Sequence, residues 1–183
     1  MIDKILRKDE EYLNLPNIIT LIRFLLIPVI LTTLFYYKNY TVSLIIFIIA
    51  SFTDKLDGSI ARKFNLVTDF GKFIDPIVDK LLIISILISF IELGIISSLP
   101  VIVIVFRELT ITGFRALAAS KRIIISASPL GKYKTVSQII SIIIILLFPN
   151  LIYGIYILYF SVFMTLLSGI DYLVKNKTVF KSD

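Results

Sequence analysis

Apolar runs of roughly bilayer-crossing length make up most of this chain. Six can be drawn, at approximately 17–37, 41–60, 72–94, 99–118, 134–149 and 153–174. Each is near the roughly 20 residues that a hydrocarbon core about 30 Å thick demands. Lipid offers no partner for a free backbone N–H or C=O, so a spanning segment must be a helix or part of a closed barrel. No alternating pattern marks barrel strands. The expected fold is therefore all-α, an integral membrane six-transmembrane-helix bundle forming one membrane domain over 1–183. Residues 1–16 would be its polar cytoplasmic N-terminal segment. The opening MIDKILRKDEEYLN has no small-residue cleavage site after a short apolar core and is not expected to be a removable signal.

Charge orients the helices. The connections 37–40, 95–98 and 149–151 are short and almost uncharged, with Lys38 their only basic residue. The opposite side holds Lys4, Arg7 and Lys8, then Arg62, Lys63 and Lys72, then Lys121, Arg122, Lys132 and Lys134, and finally Lys175, Lys177 and Lys181. Basic residues favour the cytoplasmic side, which places both termini there in a multi-pass protein of the cell membrane. The formal charge of +6 is read accordingly as topology and attraction to anionic lipid, with no nucleic-acid partner.

Against that background the stretch DKLDGSIARKFNLVTDFGKFIDPIVD, residues 54–79, is anomalous, because charged groups in a membrane segment are costly and mark function by default. Asp54 and Asp57 are three apart, and Asp75 and Asp79 four apart, so each pair shares a helix face with Cβ atoms roughly 5–6 Å apart. Both pairs fall at the cytoplasmic ends of their helices and are expected to converge at one depth. Like charges so placed repel, and one or two divalent cations would relieve the conflict. The chain has no histidine and no cysteine, so ligands would be oxygens, which suit magnesium, manganese or calcium better than zinc or copper. Metals held this way can grip a diphosphate and stabilise a leaving phosphate. Gly58 and Ala61 open space beside the acids, and Arg62 offers a guanidinium, although a basic residue at a cytoplasmic turn also serves topology. A nucleotide diphosphate fits this set.

The spacing DxxDGxxAR, eight residues, then GxxxDxxxD, filled here by Asp54, Asp57, Gly58, Ala61, Arg62, Gly71, Asp75 and Asp79, resembles the signature of the CDP-alcohol phosphatidyltransferase family. The resemblance implies a six-helix membrane fold, usually homodimeric, with two divalent cations, Mg2+ or Mn2+, between helices two and three. It also implies transfer of a phosphatidyl group from CDP-diacylglycerol to an alcohol with release of CMP, at the cytoplasmic face. By the same resemblance Asp54, Asp57, Asp75 and Asp79 would be metal ligands and Asp79 also the catalytic base. Asp54, Gly58, Ala61, Arg62 and Gly71 would line the CDP-diacylglycerol pocket. An aspartate is a weak base, but a hydroxyl beside a metal is acidified enough for it.

The acceptor is read from outside the signature. Arg107 and Arg115 are eight apart on helix four, hence on one face, and Lys132 and Lys134 stand where helix five begins. Four cations with few acidic neighbours suggest an anionic acceptor. Glu108 adjoins Arg107 but projects about 100° away around the helix, so pairing between them is not expected. The wider text NLPNIITLIRFLLIP, TDFGKFIDPIVDKLL, FRELTITGFRALAASK and SPLGKYKT is similar to members that use glycerol 3-phosphate, and that likeness covers approximately residues 14 to 147. It would assign the acceptor's phosphate to Arg107, Arg115, Lys132 and Lys134, and it includes Asn17, Thr20 and Arg23.

Residues after about 148 are expected to bear on stability or dimer contact more than on chemistry. Asp69 is read as the cap of helix three, Glu92 and Asp171 as interfacial charges, and Tyr153, Tyr156, Tyr159 and Phe160 as belt or packing aromatics. Within the family, inositol phosphate, serine or phosphatidylglycerol are the alternative acceptors. A small cation transporter is the alternative from another class. It would want carboxylates near the midplane and two similar halves, and the sequence offers neither.

Overall fold

The computed structural model describes residues 14–63, 68–121, 123 and 129–177, without the side chains of 54–63, 69 and 72. The described residues are all-α, with six helices and no strand: α1 (Leu15–Phe35), α2 (Tyr40–Lys63), α3 (Asp69–Glu92), α4 (Ser98–Ser120), α5 (Pro129–Leu147) and α6 (Tyr153–Lys175). By length and composition α1, α5 and α6 can each cross a membrane, and α2 contains the shorter apolar stretch Tyr40–Thr53. The protein is therefore a membrane protein with several apolar spans.

Helix limits follow from local chemistry. Asn14 caps α1, its Oδ1 accepting the Asn17 N–H at 3.0 Å, and Pro16 occupies the first turn, where a missing N–H costs nothing. Asn39 caps α2 in the same way through the Val42 N–H at 3.1 Å. α3 ends in a left-handed Gly94 at φ 70°, with Gly94 N–H donating to Ile91 O and Ile95 N–H to Phe90 O, both at 2.9 Å. That double bond pattern satisfies carbonyls the helix would otherwise strand, and glycine adopts the required φ without a Cβ clash.

α2, α3 and α5 each begin or end several residues beyond the apolar runs, at Lys63, Asp69 and Pro129. Hydropathy marks only the part of a helix that faces lipid. The polar turns that continue it are invisible to that signal, and Ala61, Arg62 and Gly71 of the signature lie in them.

The chain divides into two compact units, Met1–Ser89 and Phe90–Asp183. In the first, α1 packs on α2, burying Ile27, Ile30 and Leu34 from one helix and Leu44, Phe47 and Ala50 from the other. A hydroxyl pair, Thr33 Oγ1 and Ser43 Oγ at 2.7 Å, ties them near the α1–α2 turn. In the second unit α6 packs on both α4 and α5. Ile111, Phe114 and Ala118 of α4 form a buried cluster with Tyr172 of α6.

The α5–α6 turn is close-packed at Gly154, where an added Cβ would lie 2.5 Å from Ile145 Cγ1 and 3.1 Å from the Ile145 backbone nitrogen. The side chain can shift but the backbone cannot. Gly154→Val is expected to destabilise the protein by about 1–3 kcal/mol through overpacking. Thermal unfolding in detergent measures it, and an unchanged midpoint would refute the close approach.

Candidate active site

In the first unit, a buried polar face of α1 meets the start of α3. Asn17, Thr20 and Arg23 are almost fully buried, at spacings of three that keep them within about 120° of arc. Each holds a residue of α3 or of its N-cap. Asn17 Nδ2 donates to Thr68 Oγ1 at 3.0 Å, Thr20 Oγ1 donates to Asp75 Oδ1 at 2.6 Å, and Arg23 Nη1 donates to Asp79 Oδ1 at 2.5 Å. Partner numbers rise together along both helices. α1 and α3 therefore run parallel here.

Gly71 permits this approach. A Cβ there would sit 2.7 Å from Asn17 Oδ1 and 3.2 Å from Thr68 Oγ1. Its backbone N–H donates to Thr68 Oγ1 at 3.0 Å, so Thr68 caps α3. The cap expected at Asp69 falls one residue earlier, because the hydroxyl of Thr68 is already fixed by Asn17. Asp69 is instead the first residue of the helix.

Two of the four signature aspartates, Asp75 and Asp79, can thus be followed to their partners, and both are half-buried. Asp54 and Asp57 lie in α2 three residues apart, with Gly58 directly after them and Ala61 and Arg62 one turn on. The side chains of these five lie outside the described residues. Among the described residues no three acids gather. The donor set nonetheless suits a hard cation: it is all oxygen, and the Thr20 hydroxyl that fixes Asp75 is the kind of outer hydrogen bond that orients a ligating carboxylate.

The second unit holds the cations. Arg107 Nη1 donates to Glu108 Oε1 at 3.1 Å, its Nη2 donates to Ser168 Oγ at 3.0 Å, and Lys134 Nζ donates to the same Glu108 oxygen. Glu108, Lys134 and most of Arg107 are buried. The expectation that Arg107 and Glu108 stay apart is corrected. Both side chains are long enough to bend across the 100° between their Cβ vectors, and the ammonium of Lys134 draws the carboxylate inward. Nor do the cations lack acidic neighbours, since Glu108 serves two of them.

Arg115 is held differently. Its Nε donates to the Tyr172 hydroxyl at 2.9 Å, and its guanidinium carbon lies 5.3 Å from the centre of that ring. Lys132 is exposed while Lys134 is buried, because two helical positions apart means about 200° around α5. Arg107, Glu108 and Lys134 are thus joined, Arg115 is joined to Tyr172, and Lys132 is joined to neither group. Asp171 pairs with Lys175 on the exposed side of α6 at 2.7 Å.

Glu108, Ser168, Tyr172 and Thr68 were missed as site residues by reasoning from sequence. Glu108 carried a usable signal, since a carboxylate in an apolar helix requires a partner. The others carried none, being ordinary packing and capping residue types.

Residues 13–167 match the CDP-alcohol phosphatidyltransferase family. The chain belongs to that family. It is 40% identical to CDP-diacylglycerol–glycerol-3-phosphate 3-phosphatidyltransferase of Bacillus subtilis, over 92% of this chain and 98% of the relative. It is 38% identical to the protein of that name from Rickettsia typhi, over 91% of this chain and 99% of the relative. A probable phosphatidylglycerophosphate synthase of Mycobacterium tuberculosis is 37% identical over 88% of this chain and 81% of the relative. Membership makes this chain an enzyme of the phosphatidyltransferase class, in keeping with the signature.

Removing one partner of a buried ionic group leaves an uncompensated charge, at a cost of about 3–5 kcal/mol. Glu108→Ala strands two cations at once and is expected to lower stability by at least about 3 kcal/mol. Glu108→Gln, which keeps an acceptor oxygen, should lose less. Unfolding of both variants in detergent decides it, and equal stability of Glu108→Ala and the parent would show that the triad bears no load.

Proposed function

We propose that the protein transfers the phosphatidyl group of CDP-diacylglycerol to glycerol 3-phosphate, forming phosphatidylglycerophosphate and releasing CMP in phospholipid biosynthesis. The observation that carries this reading is similarity along nearly the whole chain to relatives whose names specify that donor and acceptor. The complete signature supports the donor, and the cation cluster supports a phosphorylated acceptor.

In this proposal Asp54, Asp57, Asp75 and Asp79 hold divalent cation, magnesium or manganese and two ions by the family resemblance. When bound, that metal supplies charge neutralisation of the diphosphate and polarisation of the phosphorus under attack. The chain's own residues do the rest. Thr20 fixes Asp75, and Arg23 fixes Asp79. Gly58, Ala61, Arg62 and Gly71 line the cytidine diphosphate, and Arg107, Arg115, Lys132 and Lys134 attract the acceptor's phosphate.

The acceptor hydroxyl gives its proton to the Asp79 carboxylate as its oxygen bonds to the phosphorus that carries the diacylglycerol. The bond from that phosphorus to the bridging oxygen breaks, and CMP leaves with the electron pair. Both lipid tails stay in the bilayer while the reacting groups meet at its cytoplasmic face. The basic residues that flank the helices support that orientation, with both termini cytoplasmic. The working form is a single membrane domain of six passes, taken as a homodimer from the family resemblance.

Purified protein supplied with CDP-diacylglycerol, glycerol 3-phosphate and magnesium should release CMP, and a chelator should stop it. Asp79→Asn should lower kcat by about 10²–10⁴-fold, the usual scale for losing a general base. Inositol phosphate and serine in place of glycerol 3-phosphate should give no comparable turnover. Absence of CMP release with all components present would overturn the reading.

A further inference from the structure

The two arginines of α4 are not equivalent in their bonding. Arg107 has both terminal nitrogens engaged, one by Glu108 and one by Ser168. Arg115 is anchored only at Nε, by the Tyr172 hydroxyl, and its terminal nitrogens make no hydrogen bond among the described residues. A guanidinium held at Nε keeps its outer fork, the pair of N–H edges that matches phosphate geometry, available for a ligand.

We propose that Tyr172 is a positioning residue for the acceptor's phosphate, holding Arg115 by Nε so that its terminal fork makes the contact, while Arg107, its terminal nitrogens already engaged, contributes charge without a fork contact. This rests on the reading that the α4 cations receive that phosphate. Residue 172 lies past the matched family segment, which ends at 167.

The mounting of Tyr172 suits this role. The side chain is almost fully buried. Phe114 packs edge-on against its ring at 6.0 Å between centroids and 78° between planes, so the hydroxyl cannot swing away from Arg115 without disturbing the core. The face of the ring meets the guanidinium, which adds cation–π attraction to the hydrogen bond. One turn earlier on α6, Ser168 accepts from Arg107, and Gly169 leaves room for its stem, since a Cβ there would lie 3.3 Å from Arg107 Cγ. Residues 168 to 172 thus engage both arginines, which stand eight apart on α4.

The arrangement assigns different consequences to the two arginines. Loss of the Tyr172 hydroxyl frees Arg115 to rotate, and a rotating fork binds a phosphate without the benefit of preorganisation. The donor, whose diphosphate belongs to the acidic signature, is unaffected.

The experiment compares the parent enzyme with Tyr172→Phe, Arg115→Lys and the double variant, each checked for folding by thermal unfolding. Steady-state kinetics vary glycerol 3-phosphate and CDP-diacylglycerol separately. Tyr172→Phe keeps the ring and should raise the KM for glycerol 3-phosphate about tenfold, the scale of one hydrogen bond to a charged group, with kcat and the donor's KM within about twofold. Arg115→Lys keeps the charge but loses Nε and the fork. Adding Tyr172→Phe to it should raise the acceptor's KM no further, because coupled residues fail to add. An unchanged acceptor KM in Tyr172→Phe, equal rises for both substrates, or multiplying effects in the double variant would overturn the positioning role with the activity intact. A parent enzyme that does not use glycerol 3-phosphate would overturn the functional reading and this inference together.

Discussion

A buried charge in a membrane protein must find its counter-charge within the protein, and the placement of these helices follows from that requirement. Arg23 has no exposure at all, and its guanidinium meets Asp79 of α3. The contact does more than neutralise. With Thr20 on Asp75 and Asn17 on Thr68, it sets the register of α1 against α3. A slip of either helix by one turn would strand an arginine in an apolar setting, where several kcal/mol is the scale of the penalty. Apolar packing alone tolerates such slips far better, since one leucine replaces another.

The helices were legible in the sequence because the physics of lipid leaves a short menu: apolar length and the absence of alternation already exclude everything but helices. The start of α1 carries capping chemistry in Asn14 and Pro16, which a hydropathy boundary at about 17 leaves unused. At Lys63, Asp69 and Pro129 the helix runs on into polar sequence, and there a hydropathy boundary stops short of the hydrogen-bonded one. The acidic signature was legible as a spacing. The partners of Asp75 and Asp79 were less so, because a threonine and an arginine on α1 become relevant only once α1 lies against α3, some 55 residues later in the chain.

Glu108 is the instructive failure. Helical geometry correctly gives the angle between adjacent Cβ vectors, but the conclusion that residues 107 and 108 stay apart treated two flexible side chains as rigid spokes. Burial reverses the preference. In water each charge would be solvated separately. In a crevice shared with Lys134 and Ser168, bending toward one another is the less costly arrangement, and one carboxylate oxygen accepts from both cations. A rule that weighed desolvation before angle would have reached the pair from sequence.

Among the described residues, each unit thus brings together charges of one sign with a buried residue of the other. Asp79, one turn from Asp75, has Arg23; Arg107 and Lys134 have Glu108. Complete neutralisation would make each cluster cheap to bury and useless for an ionic ligand. No neutralisation would leave like charges repelling in a poorly polarisable setting, with partial protonation or local unfolding as the relief. One minority charge lowers the self-repulsion and fixes side-chain direction, yet leaves a net field of the original sign. Arg115 follows a different solution: it is steadied by a neutral phenol and an aromatic face, which orient it without cancelling its charge. A guanidinium steadied in this way keeps the full attraction of a cation for phosphate, and that distinguishes it from its neighbour at 107.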